Sequence, residues 1–279
     1  MLYLFLAILS SAMVSIVMRL SEGKVTHNFG MLLMNYLMCS FMAAASAGFG
    51  KLFVPSDPLL AITTAMGCVN GLFYLVSFVL LQVNVRRNGV VLSATFMKLG
   101  LLVTMVVSVC LYREIPSVLQ AIGFLLAVCA ILLINYTGKK QTADYKMGLV
   151  WLLLCGGMAD AMSKIFEESG VPGMEHQFLF FTFATALAFC SLCMVVKGQR
   201  AGKWEVFFGL LIGIPNYLSS RFLLRALEDV AAVIAYPVYS VSCILVVTQA
   251  GLLLFRERLE KRQWVALIVI LAALVLLNL

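Results

Sequence analysis

Charge is what this sequence has least of. Only 12% of its 279 residues are Asp, Glu, Lys or Arg, 63% are hydrophobic, and mean hydropathy is +1.03. A soluble domain carries about 25% charged and roughly 45–50% apolar residues. With so little polar surface available, most of the outside must meet lipid. Histidine is scarcer still: His27 and His176 are the only two, and both read as isolated in loops. No metal site is indicated and no cofactor is expected. Also missing are a phosphate loop, a Ser-His-Asp set, paired carboxylates within one helix and an HExxH motif, so nucleotide hydrolysis and other enzymatic chemistry are not expected.

Cysteine is not lacking. All eight (Cys39, Cys68, Cys110, Cys129, Cys155, Cys190, Cys193 and Cys243) lie in apolar runs, where cysteine behaves as a small hydrophobe. Cys190 and Cys193 have the spacing of half a zinc site, but no second pair completes it. The net charge of +7 does not point to nucleic acid, because the basic residues sit singly or in small groups between apolar runs. At the N-terminus, Leu2 to Met18 follows no basic segment and leads to Arg19 without a small-residue cleavage site, so it reads as a membrane helix and not a leader.

Polar and Gly/Pro-marked breaks leave ten apolar segments, at 2–19, 29–47, 59–82, 89–112, 117–136, 147–166, 177–197, 205–226, 230–255 and 262–278. Each approaches the ~17–25 residues that carry a helix across ~30 Å of hydrocarbon. Lipid offers no partner to an open backbone, so these are helices and not isolated strands. The expected fold is an all-α integral membrane protein of ten transmembrane helices.

Those ten divide into two similar halves, 1–140 and 141–279. Leu111-Tyr112-Arg113-Glu114 returns 143 residues later as Leu254-Phe255-Arg256-Glu257. Tyr74 matches Tyr217 at the same offset, and Gly67-x-x-x-Gly71 is echoed by Gly209-x-x-x-Gly213 at 142. Five helices per half is an odd number, so the second half must cross in the opposite sense. Two inverted five-helix repeats place a binding site near the membrane midplane. Loops after odd-numbered helices hold 14 Lys and Arg and those after even-numbered helices hold 4, which puts the odd loops in the cytoplasm.

Paired five-helix halves, Arg-Glu at the ends of helices 4 and 9, a Gln-containing helix after each, and Ala235-Tyr236-Pro237-Val238 within helix 9 together resemble the drug/metabolite transporter superfamily, in its ten-helix EamA-like branch. The first half departs from the pattern by carrying Ala94 where the second has Pro237. The resemblance implies a secondary transporter in the plasma (cell inner) membrane, exporting or exchanging an amino acid or similar metabolite. Its expected partners are a small-molecule substrate and the bilayer, with no nucleic acid, as a monomer or homodimer. The resemblance also implies that helices 1, 3, 4, 6, 8 and 9 surround the central cavity.

Ionisable residues inside membrane helices are costly and therefore candidates for function. Lys98, Asp160 and Arg221 lie on helices 4, 6 and 8, at depths of roughly 13, 20 and 24 Å from the cytoplasmic ends when counted at ~1.5 Å per residue. An excess of cation over anion favours a substrate bearing a carboxylate or phosphate. Each residue also has a plainer reading: Asp160 can pair with Lys164 at i, i+4, and Arg221 can extend to the outer surface. Asn70, Tyr74, Asn216, Tyr217, Tyr236 and Tyr239 form a second layer that can bind substrate or simply hold helices together. The GxxxG pairs read as close helix packing, and Pro237 as a bend or hinge in helix 9. Two rival readings are a non-transporting membrane scaffold and an intramembrane enzyme. An enzyme would need nucleophile, acid or metal ligands converging at one depth.

Overall fold

The structure is a computed structural model of the 279-residue chain, and it describes residues 1–21, 23–52, 58–88, 93, 96–135, 146–198, 200–254 and 261–277. Among these residues the chain is almost wholly helical. The helices are α1 (Leu2–Ser21), α2 (Asn28–Ala47), α3 (Pro58–Asn88), α4 (Leu101–Tyr112), α5 (Val118–Asn135), α6 (Lys146–Ser169), α7 (Glu175–Val196), α8 (Lys203–Leu227), α9 (Ala232–Leu254) and α10 (Lys261–Leu277). A 3-10 turn, Phe49–Lys51, follows α2, and no strand occurs among the described residues. Seven of the helices are long and apolar enough to cross a membrane, and shorter apolar helical stretches run over Phe96–Tyr112, Val118–Leu133 and Trp264–Leu277. Many large apolar side chains lie on the outside, among them Phe41, Leu125, Val195, Leu253 and Ile268, as a lipid solvent allows.

The largest departure from the hydrophobic pattern is at the junction of the third and fourth helices. The segment expected to end at 82 continues to Asn88. Two buried asparagines carry it on: the Asn84 amide donates to the Leu80 carbonyl at 2.8 Å, and the Asn88 amide donates to Asn84 Oδ1 at 2.7 Å. Of the segment expected at 89–112, residues 93 and 96–112 are described; Ser93 is helical, and α4 begins at Leu101. Before it, Phe96–Lys98 make one helical turn, and the bonds from Gly100 N–H to Met97 O, Leu102 N–H to Leu99 O and Val103 N–H to Gly100 O are the tighter i, i−3 kind. Ala94, the counterpart of Pro237, lies outside the described residues, as does Glu257 of the second Arg-Glu motif.

The chain forms two compact units. One consists of Leu2–Leu75 and Ile165–Ala226; the other of Val76–Lys164 and Leu227–Leu279, with Met1. In the first, α2 packs along α7. Both GxxxG pairs are seams of this unit. A β-carbon on Gly67 or Gly71 would run into the α7 backbone at Phe178 and Thr182, and one on Gly209 or Gly213 would meet α2 at Met31 and Asn35. Only glycine lets these backbones approach so closely. The seams are related: α3 lies on α7 as α8 lies on α2, the same pairing with the halves of the chain exchanged.

In the second unit α5 packs along α10 and α4 against α9. Its core is built from small and medium residues, Ala127, Ala130, Val241, Ile270 and Ala273. Gly100 of the interrupted segment faces Gly157 of α6, where neither has room for a β-carbon. Thr104 adds a hydrogen bond to the Gly157 carbonyl at 3.3 Å. α4 ends at Arg113, whose φ of 56° makes it the single non-glycine residue with a left-handed backbone among those described.

Candidate functional site

The residues singled out from the sequence divide between the two units. In the second unit Lys98 is exposed and is the last helical residue before the break at Leu99–Gly100 that precedes α4. The close approach of Gly100 to Gly157 sets the segment that carries Lys98 beside the part of α6 that carries Asp160. Asp160 is partly buried, and its backbone carbonyl accepts a hydrogen bond from the Tyr236 hydroxyl of α9 at 2.5 Å. Tyr236 is buried and immediately precedes the helix-interior Pro237, while Tyr239, one turn on, is half-buried. Thus Lys98, Asp160 and Tyr236 are brought together beside the Gly100–Gly157 crossing.

Lys164, only 2% exposed, holds Glu114 with an N–O distance of 2.9 Å. Its ammonium also lies 5.8 Å from the centre of the Tyr112 ring. The second oxygen of Glu114 accepts the Val233 N–H at the start of α9, 3.2 Å away. The glutamate of the duplicated Arg-Glu motif therefore ties the ends of α4 and α6 to the beginning of α9. The left-handed turn at Arg113 aims it, and Glu114 N–H returns to the Ser108 carbonyl at 3.3 Å. The duplication made the motif visible, but no spacing rule links Glu114 to Lys164.

In the first unit, Asn70 and Asn216 hold helices together. The Asn216 amide donates to Asn35 Oδ1 at 3.1 Å, and the Cys39 thiol donates to the Gly213 carbonyl at 3.3 Å, both across the α8–α2 seam. The Asn70 amide reaches Thr182 at 3.5 Å across the α3–α7 seam, and its buried Oδ1 has no hydrogen-bond partner. The Tyr74 ring meets Phe183 edge-on at 6.2 Å. Tyr217 is buried, and its hydroxyl lies 3.2 Å from Nδ1 of His176. His176 is thus part of the first turn of α7 and not an isolated loop residue.

Arg221, one turn beyond Tyr217 on α8, is exposed and lines a cavity of about 320 Å³ with Tyr3, Glu175, His176, Phe222 and Arg225. Sequence reading had included Arg221 but neither His176 nor Arg225. The readable signal was the run Tyr217, Arg221, Arg225 at i, i+4, i+8, which sets all three on one helix face. Cys190 is structural, its thiol donating to the Phe29 carbonyl at 3.6 Å.

An all-α chain of apolar, membrane-length helices with polar and charged groups placed on them is a multi-pass membrane protein. The chain belongs to the EamA-like transporter family, whose model matches residues 1–136 and 147–279, and so to the drug/metabolite transporter superfamily. A relative from Haemophilus influenzae, described as an uncharacterized protein, is 24% identical over 203 residues, which is 71% of this chain and 69% of the relative. A crystal structure of another protein superposes with a TM-score of 0.79 at 14% identity, covering 100% of this chain and 97% of that one; such a likeness shows the fold.

Proposed function

We propose that this membrane transporter is a secondary exporter or exchanger of a small polar or amphipathic metabolite, an amino acid or organic anion, in the plasma membrane. It works by alternating access between two inverted five-helix repeats, 1–140 and 141–279, and is not an enzyme. The observation that carries the reading is the placement of Lys98, Asp160 and Tyr236 around the Gly100–Gly157 crossing, beside an interrupted helix. A cation facing lipid near the middle of the bilayer would cost at least ~2.5–3.5 kcal/mol, so an exposed Lys98 is best accounted for by an aqueous opening. Broken helices in secondary transporters present backbone and side-chain groups to substrate or coupling ions. Tyr239, Asn70, Tyr74, Asn216, Tyr217 and Arg221 are the remaining substrate-contact candidates.

The test is flux in proteoliposomes over a panel of carboxylates, phosphorylated metabolites and amino acids. Wild type should exchange at least one class. Lys98→Met should insert and fold yet lose transport, and Lys98→Arg should recover it in part because the two head groups differ in shape and hydration. Normal flux in folded Lys98→Met would remove Lys98 from the mechanism. No flux from wild type over the whole panel would favour the scaffold reading.

A further inference from the structure

The cavity around Arg221 lies in a single unit and is assembled from three helix ends. Tyr3 comes from the start of α1, Glu175 and His176 from the first turn of α7, and Arg221, Phe222 and Arg225 from the last two turns of α8. Its lining carries two guanidiniums and one carboxylate. Glu175 Oε1 accepts the Gly173 N–H at 3.0 Å, and Arg225 also has an interaction of its own, so Arg221 is the principal anion-binding group. One wall is aromatic, the Tyr3 and Phe222 rings stacking at 6.3 Å with 26° between their planes. The His176–Tyr217 contact at 3.2 Å runs from the cavity lining to the buried Tyr217 of α8.

We infer that this cavity is a vestibule for a small organic anion, a carboxylate carrying an apolar or aromatic body, held principally by Arg221, with Arg225 beside it and its body against Tyr3 and Phe222. Guanidinium forks match a carboxylate geometrically and bind it in pairs of charge-assisted hydrogen bonds. A volume of about 320 Å³ suits one small molecule, at the lower end of the ~300–1,000 Å³ typical of ligand pockets. The loop-charge asymmetry assigns these three helix ends to the non-cytoplasmic side, where a transported anion arrives or departs. That role rests on the transporter reading, whereas binding itself does not. An anionic lipid headgroup shares the same phosphate or carboxylate chemistry, and the experiment is built to separate the two.

Full-length protein is placed in nanodiscs of zwitterionic phosphatidylcholine alone, and 4-fluorobenzoate binding is followed by ¹⁹F line broadening. Wild type should bind the probe. Arg221→Gln should weaken binding by about tenfold or more, the equivalent of ~1.4 kcal/mol, and Arg225→Gln should weaken it less. Arg221→Lys should fall between wild type and Arg221→Gln because it keeps the charge and loses the fork. Unchanged thermal unfolding identifies the variants that remain folded, and Arg221→Lys serves if the glutamine variants do not. Adding phosphatidylglycerol to the disc should leave probe binding intact. Absent binding, or binding indifferent to all three substitutions, overturns the vestibule. Displacement of the probe by phosphatidylglycerol also overturns it and makes the cavity a lipid headgroup site. Because no flux is read, loss of this inference leaves the transporter reading standing, and an inactive transporter that still binds the probe leaves the vestibule standing.

Discussion

Glu114 and Lys164 make an ion pair in which the partners are 14% and 2% exposed, so little water remains to solvate either charge alone. Removing one partner of such a pair costs roughly 3–5 kcal/mol, whereas replacing both by neutral groups of similar size can be close to neutral. Glu114→Gln should therefore lower the unfolding midpoint sharply in detergent, and Glu114→Gln/Lys164→Met should recover most of the loss. A double variant as unstable as the single one would mean that the Val233 contact, and not the ion pair, carries the stabilisation. Glycines provide a second residue-scale comparison. Valine at Gly209 must displace the Met31 carbonyl and the Met34 side chain, a kind of overpacking that costs about 1–3 kcal/mol. Alanine at Gly156, where an added β-carbon meets nothing within 4 Å, should instead gain about 0.5–1 kcal/mol from helix propensity. Thermal unfolding of the two variants, side by side, checks both signs. The sequence showed that Gly209 and Gly213 belong to a close crossing. It could not show the crossing partner, because α2 lies far away along the chain.

Helix positions were legible element by element, since a membrane helix announces itself by an unbroken apolar run. Boundaries were legible only where the polar break coincides with the end of hydrogen bonding. At α3 it does not: Val83 to Asn88 looks like a loop by composition, yet the Asn84 and Asn88 side chains keep it helical. The fourth segment fails in the opposite direction: beside the Gly100–Gly157 contact, helical bonding breaks at Leu99–Gly100 within a run that the sequence reads as one helix. Connections were the least legible elements. The short stretch between α1 and α2 is only a polar break in the sequence, but Glu205 of α8 fastens it. One Glu205 oxygen accepts the Thr26 N–H at 2.8 Å, the Thr26 hydroxyl at 2.9 Å and the His27 N–H at 3.2 Å. Lys24 adds its ammonium at 5.2 Å from the Trp204 ring centre. Glu205→Ala should free this connection while leaving α1 and α2 formed. Hydrogen exchange at the Thr26 and His27 amides should then speed by about tenfold or more, as expected for losing ~1.4 kcal/mol of local hydrogen bonding. Unchanged exchange would show that the connection is held by packing alone.

At the scale of the whole molecule, Lys and Arg placement predicts that the odd-numbered loops are cytoplasmic. In a cysteine-free background, Arg200→Cys between α7 and α8 should react with an impermeant maleimide only from the cytoplasmic side, and Pro172→Cys between α6 and α7 only from outside. Reversed labelling would mean that the charge bias does not set the topology of this chain. The duplication was legible at this scale through Arg-Glu, the matched tyrosines and the two glycine pairs, but the compact units were not. They are not the two halves of the sequence: Leu2–Leu75 joins Ile165–Ala226, and Val76–Lys164 joins Leu227–Leu279. This interleaving bears on how the protein is made. The carbonyl of Met31, against which Gly209 rests, leaves the ribosome 178 residues before its partner. At roughly 5–20 residues per second, α2 therefore waits about 10–35 s for α8. The bare glycine face of α3 likewise has no mate until α7 is synthesised. A nascent first half is consequently an inserted but unfinished set of helices, with seams facing lipid or an insertion chaperone. Expressed alone it should be cleared by membrane proteases. Supplied with the second half as a separate polypeptide it should be rescued, because every glycine seam requires one helix from each.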